Sequence, residues 1–223
     1  MNTAIIAAAG SGTRFNSPVP KQFLEILGKP VLVHTIERFE LCPAIGEIVL
    51  VLAADEIERF SVILDKYGFA KVRRVIAGGK TRAESVKNGL DTISGEGIVA
   101  VHDGARPLVT GSEIEATIEK AEETGAACLV APVTDTVKEV GGGMITRTLD
   151  RTKLRRALTP QAFRYEIIQK AFASTDLGEQ VTDECLLVER LGYPIAYVEG
   201  SARNIKITVP EDVRLAEVFL RNE

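Results

Sequence analysis

Short apolar, β-branched runs recur along the chain, spaced so that one amphipathic helix fits between each pair. Residues Thr3 to Ala9 form the first run, almost without charge, and runs at 47–53, 71–76, 97–102 and 126–131 follow. Continuous apolar runs of this length suit strands covered on both faces, as in a parallel sheet. Between them, helical spacing predicts helices over 30–41, 55–66, 81–93 and 111–124. Pro30 fits the first helical position of the first, Thr81 with Glu84 reads as a capping box on the third, and Gly125 ends the fourth. The alternation predicts an α/β fold, a Rossmann-like doubly wound, mostly parallel sheet, in a single domain over 1–223.

After Pro132 the period changes. Thr136–Val140 and Met144–Thr148 alternate polar and apolar residues around Gly141, Gly142 and Gly143, which predicts a β-hairpin inserted into the α/β core at about 135–150. A lone hairpin is marginal in water, so it is expected to act as a dimerisation arm packed on a second copy, the alternative being a solvated edge ribbon. Helices near 165–174 and 183–191, strands at 194–198 and 204–208, and a last helix opened by Pro210 complete the expectation.

Composition narrows the classes. The 223 residues, 45% hydrophobic and 26% charged, suit an ordinary globular chain with a sizeable core. A net charge of −4 argues against a general nucleic-acid or membrane-surface binder, so an anionic ligand has to be met by local cations. Cys42, Cys128 and Cys185 are far apart and form no CxxC, which speaks against a disulfide framework or zinc site and for buried small side chains. No apolar run is long enough to span a bilayer and no secretory leader is visible, so a cytoplasmic protein is expected.

Chemistry concentrates first at Ala7–Phe15, followed by Pro20-Lys21-Gln22. Gly10 and Gly12 allow successive N–H groups to turn inward around an anion, and Arg14 and Lys21 add full charges, a combination that suits a triphosphate. The P-loop pattern fails because Phe15 and Asn16 stand where it needs Gly or Lys-type residues, and the dinucleotide pattern lacks its third glycine. Pro18 and Pro20 forbid an immediate helix, so the excursion to about Gly28 far exceeds the roughly 2–6 residues usual for such a loop. A Gly/Ser loop that merely connects is the alternative.

Residues just after other strands matter because ligands of open α/β sheets sit outside the carboxyl ends. Gly78-Gly79-Lys80 through Ser85 offers backbone groups and a hydroxyl for a base or ribose, although a Gly-Gly turn before a capped helix is common. His102-Asp103-Gly104-Ala105-Arg106-Pro107 ends a central run. Asp103 there suits Mg²⁺ held against phosphate oxygens, and Arg106 suits Asp103 or a phosphate; an Asp-Gly turn with a surface ion pair is the alternative. Thr136, Arg151, Thr159, Thr182-Asp183-Glu184 and Asn204-Ile205-Lys206 form a later polar set. Lys206 projects opposite to Ile205 and Ile207, the pattern also of a plain solvated face. His34 reads as structural and His102 as a strand-end hydrogen bonder, so no nucleophilic triad is present and transfer to phosphorus without a covalent enzyme intermediate is expected.

Nine ordered motifs then identify a resemblance: AAAGSGTR (7–14), PKQF (20–23), GG-x-x-R-x-x-S (78–85), VHDGARP (101–107), APVTDTVK (131–138), LTPQAF (158–163), TDE (182–184), VEG (198–200) and NIKIT (204–208). Over its whole length the chain resembles the 2-C-methyl-D-erythritol 4-phosphate cytidylyltransferase family. The resemblance implies that CTP and a polyol phosphate share one cleft, with the phosphate attacking the α-phosphorus in line and releasing pyrophosphate. It implies a nucleotide lined by Ala8, Ala9, Gly10, Ser11, Gly12 and Thr13, with Arg14 and Lys21 on the triphosphate and Lys21 also stabilising the transition state. Gly78, Gly79, Lys80, Ser85 and the Asp103–Ala105 backbone would define the base and ribose pocket. Asp103 would anchor Mg²⁺ and approach the acceptor, while Arg106, Thr136, Thr159, Thr182 and Lys206 would contact the acceptor or its phosphate. Arg151 would reach a neighbouring subunit's site, making a homodimer part of the catalyst.

Two departures are visible: Lys80 stands where some members carry an acidic residue, and Gly104 where alanine is frequent. Changed affinity rather than changed chemistry is expected from them. Ribitol 5-phosphate is the alternative acceptor. A nicotinamide-dependent oxidoreductase and a non-catalytic nucleotide-sensing dimer are the alternatives from other classes, the first disfavoured by the missing third glycine.

Overall fold

A computed structural model describes residues 1–10, 23–174 and 181–222. The strands are Thr3–Ala8 (β1), Glu25–Ile26 (β2), Lys29–Pro30 (β3), Glu47–Leu52 (β4), Val72–Ala77 (β5), Ile98–Asp103 (β6), Ala126–Pro132 (β7), Lys138–Gly141 (β8), Met144–Thr148 (β9), Arg155–Arg164 (β10) and Ala196–Glu199 (β11). The helices are Val31–Glu40 (α1), Ile57–Tyr67 (α2), Arg82–Leu90 (α3), Gly111–Thr124 (α4), Tyr165–Ala173 (α5), Glu184–Arg190 (α6) and Pro210–Leu220 (α7).

Seven strands form one sheet in the order β11-β7-β10-β6-β1-β4-β5. All neighbours run parallel except β10, which is antiparallel to both β6 and β7. The period of two along each strand shows both faces covered. Ala4, Ile6, Ile48, Leu50 and Leu52 pack with Phe39 of α1, Phe60 of α2 and Ile114 of α4. Ile5, Val49 and Val51 face the other way, onto Val86 of α3, Ile168 of α5 and Leu187 of α6. Each such aliphatic side chain taken fully out of water contributes roughly 1.5–3 kcal/mol, which is why the runs carry almost no charge.

Several expectations shift. Pro30 caps α1 from outside rather than occupying its first turn. The Thr81 hydroxyl accepts from the Glu84 N–H, but the Glu84 carboxylate reaches past Thr81 to the Lys80 N–H, so only half of the capping box forms. Residues 204–208 join no ladder and are not a strand; Ile207 N–H donates to the Ala105 carbonyl, and Asp212 of α7 accepts from the N–H groups of Thr208 and Val209. The short β2 and β3 were not foreseen, nor, in the main sheet, was β10. Pro160 sits inside it, a residue that argues against a central strand, and the ladder to β7 accordingly shifts between Ala157 and Gln161.

The hairpin forms as expected, β8 pairing β9 through Gly142 and Gly143 at φ 56° and 77°, the left-handed values a two-residue turn requires. All of β8 and β9 is exposed in the single chain. The three cysteines are free and buried, and the His34 ring nitrogen Nε2 donates to the Ile26 carbonyl, a structural role.

Loops after β1, β5 and β6 meet at the carboxyl edge. A methyl added at Gly78 would stand 2.3 Å from the Ala9 Cβ and 2.7 Å from the Ser85 Oγ. One added at Gly104 would stand 2.8 Å from the Ala8 Cβ. Gly78→Ala should therefore lower stability by about 1–3 kcal/mol through overpacking, read from urea unfolding of the purified protein. An unchanged midpoint would mean that the turn has room to spare.

Candidate active site

Asp103 is the last residue of β6, opposite Ala7 in the neighbouring strand, and the Gly104 N–H donates to the Ala7 carbonyl at 2.9 Å. This places the carboxylate at the carboxyl end of a central strand, where Gly104 lies against Ala8 and, on the neighbouring loops, Gly78 lies against Ala9. The Asp103 oxygens meet three cations. Oδ1 accepts from Arg82 Nε at 3.0 Å, while Oδ2 faces Arg106 Nε at 3.3 Å and Lys206 Nζ at 2.9 Å. Burial pushes the Asp103 carboxyl upward, but Arg82, Lys206 and Arg106 outweigh it and hold the group well below the usual carboxylate range.

Each cation is carried by a different element. Arg82 opens α3 and places its Nη1 2.6 Å from Oε1 of Glu184, the first residue of α6. Glu184 is wholly buried, and its Oε2 has no hydrogen-bond partner among the described residues. Burial raises its pKa, and Arg82 restores only part of the difference. Gln161 of β10 fixes this end of α6: its Oε1 accepts from the N–H groups of Glu184 and Cys185, and its Nε2 donates to Asp183. Arg106 also donates to the Asn204 carbonyl at 2.8 Å, and Asn204 Nδ2 donates to the Thr159 carbonyl at 3.0 Å, which pins the segment bearing Lys206 against β10.

Beneath Asp103 a neutral chain of hydrogen bonds fixes the strand end. The Asp103 N–H donates to Thr159 Oγ1, whose hydroxyl donates to His102 Nδ1, and His102 Nε2–H donates to the Arg106 carbonyl. That pattern assigns His102 its neutral tautomer. Complete burial drives its pKa down to about 4, against the pull of the Arg106 carbonyl and Asp103. His102 is thus the strand-end hydrogen bonder expected, and Phe39 packs on its ring at 4.8 Å between centroids.

The structure brings together Asp103, Arg106, Lys206 and Thr159, with Ala8 at the end of β1 and Ala9, Gly78, Gly79, Ser85, Gly104 and Ala105 close by; Gly10 follows Ala9 with nothing within 4 Å of a Cβ placed there. Ser85 Oγ accepts from the Gly79 N–H at 3.1 Å and so shapes that turn. Lys80 is exposed, as is Thr182 just before α6. Thr159 is buried with its hydroxyl occupied by Asp103 and His102, which makes it a brace for the strand end. Thr136 and Arg151 lie apart at the base of the hairpin, both exposed, Arg151 donating to the Thr134 carbonyl. Ser11, Gly12, Thr13, Arg14 and Lys21 lie outside the described residues.

Sequence reasoning named Glu184 only within the Thr182-Asp183-Glu184 set and Arg82 and Gln161 only inside motifs, and gave none of the three a role of its own. One signal was available for Arg82: a cation in the first turn opposes the helix dipole and so implies a carboxylate partner. Asp103 is a single carboxylate whose two oxygens face Arg82, Arg106 and Lys206, and a magnesium ion held there would draw its other partners from phosphate oxygens and water.

Over nearly its whole length the chain is similar to known proteins. A solved 4-diphosphocytidyl-2C-methyl-D-erythritol synthase from Anaerococcus prevotii superposes with a TM-score of 0.87 at 31% identity, covering 99% of this chain and 98% of the other. A 2-C-methyl-D-erythritol 4-phosphate cytidylyltransferase from Syntrophus aciditrophicus is 45% identical over 99% of this chain and 96% of its own length. One from Halalkalibacterium halodurans is 41% identical over 98% and 96%. The protein is therefore an α/β nucleotidyltransferase of the cytidylyltransferase class. The family model described as IspD, 2-C-methyl-D-erythritol 4-phosphate cytidylyltransferase, matches residues 2–222, and the chain belongs to that family. No described helix is long and apolar enough to cross a membrane.

The depressed pKa of His102 has a measurable consequence. Between about pH 6.5 and about 4 the unfolded chain takes up a proton that buried His102 refuses, so stability should fall as pH falls through that window. The loss is on the order of 3 kcal/mol for this group. Melting curves across the window should show a shallower pH slope in His102→Gln; an identical slope would mean that the ring titrates normally in the fold.

Proposed function

We propose that the protein transfers the cytidylyl group of CTP to 2-C-methyl-D-erythritol 4-phosphate, giving 4-diphosphocytidyl-2-C-methyl-D-erythritol and pyrophosphate. The observation that carries this reading is the meeting of Asp103, Arg106 and Lys206 where the loops after β1, β5 and β6 touch, in a chain of this family. An acceptor phosphate oxygen forms a bond to the α-phosphorus as the bond from that phosphorus to the β-phosphate oxygen breaks, and pyrophosphate carries away the electron pair. Such a step needs alignment and charge compensation more than covalent help.

Ala8 to Gly10, with Gly78, Gly79 and the 103–105 backbone, form the nucleotide wall. Ser85 holds the Gly79 turn in shape. Arg14 and Lys21 are assigned to the triphosphate on sequence alone. Lys206 is assigned to the acceptor phosphate, Asp103 to the acceptor's polar groups, and Thr136 and Thr182 to the rim. Asp103 would hold Mg²⁺, which would offset the charge of the triphosphate.

A homodimer through the hairpin completes the proposal. Val140, Met144 and Ile145 are 69%, 72% and 65% exposed in the single chain, and a second copy would cover them. Arg151 follows directly on that arm, which suits a role in the partner's crevice.

Pyrophosphate release should be observed with CTP and the methylerythritol phosphate, and a clear preference for ribitol 5-phosphate would move the assignment to the other acceptor. In the same assay Lys206→Ala should lower kcat by on the order of 10²-fold while leaving the fold intact by circular dichroism. A near-normal kcat would remove Lys206 from the reaction.

Placing aspartate at both Val140 and Ile145 should convert a dimer to monomer in analytical ultracentrifugation. A wild type that sediments as a monomer would end the proposed use of the arm.

A further inference from the structure

We infer that Arg82 and Glu184 form a positioning pair that keeps Asp103 oriented while Lys206 leaves it for an incoming phosphate; the inference rests on the reaction proposed above. The three cations on Asp103 differ in what else holds them. Arg106 has a second anchor in the Asn204 carbonyl, and Arg82 has one in Glu184. Among the described residues Lys206 has Asp103 alone, and its side chain is the most exposed of the three, 32% against 25% for Arg82 and 12% for Arg106. A single-point ammonium on a flexible stem is the partner that exchanges, whereas a guanidinium gripped at two nitrogens stays.

The fixed end of this grip is Glu184. Its side chain is entirely buried, and its backbone N–H is held by Gln161. Because Arg82 Nη1 is tied there, its Nε is presented to Asp103 Oδ1 whether or not Lys206 occupies Oδ2. The pair also joins the first residue of α3, which follows the Gly78-Gly79 turn, to the first residue of α6, which follows Thr182. It thereby fixes the distance between two walls of one crevice. Stability gives a weak reason for such an arrangement. A buried ion pair adds little over apolar packing, and the macrodipole of α3 disfavours a cation in its first turn.

The test uses the full chain with Arg82→Lys, Glu184→Gln, and the double change Arg82→Gln with Glu184→Gln. Each protein is measured for melting temperature, CTP affinity by calorimetry without acceptor, and kcat and KM for pyrophosphate release. Arg82→Lys, able to reach one carboxylate at a time, should lower kcat by about 10-fold or more while CTP affinity stays within about 3-fold. The double variant leaves no uncompensated buried charge from this pair, so it should melt close to wild type yet keep the kcat defect. If the single variants fold poorly, the double variant alone decides. Recovery of kcat together with the melting temperature in the double variant would make the pair a packing device and overturn the inference, as would wild-type kcat in all three. A wild type that releases no pyrophosphate with the acceptor would instead overturn the reaction itself, so the two failures are distinguishable.

Discussion

A carboxylate buried at the tip of a central strand is the constraint around which the rest is arranged. Asp103 is only 6% exposed, and a lone ionised group in that setting would lose its charge. It remains charged because Arg82, Arg106 and Lys206 converge on it from the start of α3, the turn after β6 and the segment before α7. Each cation arrives on a piece of chain that must itself be anchored. The anchoring falls to Glu184 and Asn204, and through them to Gln161 and Thr159 of β10. The antiparallel strand therefore does more than widen the sheet; it ties three sequence-distant segments to one edge.

The doubly wound core supplies rigidity without chemistry, since both faces of β1, β4 and β6 are filled by aliphatic side chains from two helix layers. His102 marks the boundary between the two. It lies wholly inside, neutral, packed on Phe39, and hands its two ring nitrogens to Thr159 and Arg106. The strand end is thus set by hydrogen bonds that do not titrate in the neutral range, while the charges above it are free to respond to a ligand.

The parallel strands and their helices were legible because a strand buried on both faces has to be apolar throughout, and that leaves a plain pattern in Thr3–Ala8 or Glu47–Leu52. The hairpin was legible through Gly142 and Gly143, whose positive φ values few other residues adopt. β10 was hidden because Pro160 interrupts it and its edge residues Arg155 and Arg156 look like surface. Segment 204–208 misled in the opposite sense: alternation of Ile205, Lys206 and Ile207 mimics a strand, yet its backbone is held by Ala105 and Asp212 rather than by a ladder. Asp103 and Arg106 stood out by residue type and position after a strand, and Lys206 only by its coincidence with the other polar clusters. The pairing of Arg82 with Glu184 did not, because it spans 102 residues of chain, which no local spacing encodes.

The protein as a whole carries a net charge of −4, so its overall field does not draw anions. The crevice inverts that sign locally: three cations stand against two carboxylates around Asp103, an excess of one positive charge in partly dehydrated surroundings. Attraction at such a place is short-ranged, acting within about a Debye length of ~8 Å at physiological salt, which favours a ligand already entering over one at a distance. Each of the three cations nonetheless has a carboxylate within ion-pair distance, Asp103 for all of them and Glu184 as well for Arg82. Of those pairs, the one at Lys206 is the least tied and the most exposed, so the positive charge that can be released most readily stands where a phosphate would displace a carboxylate as its partner.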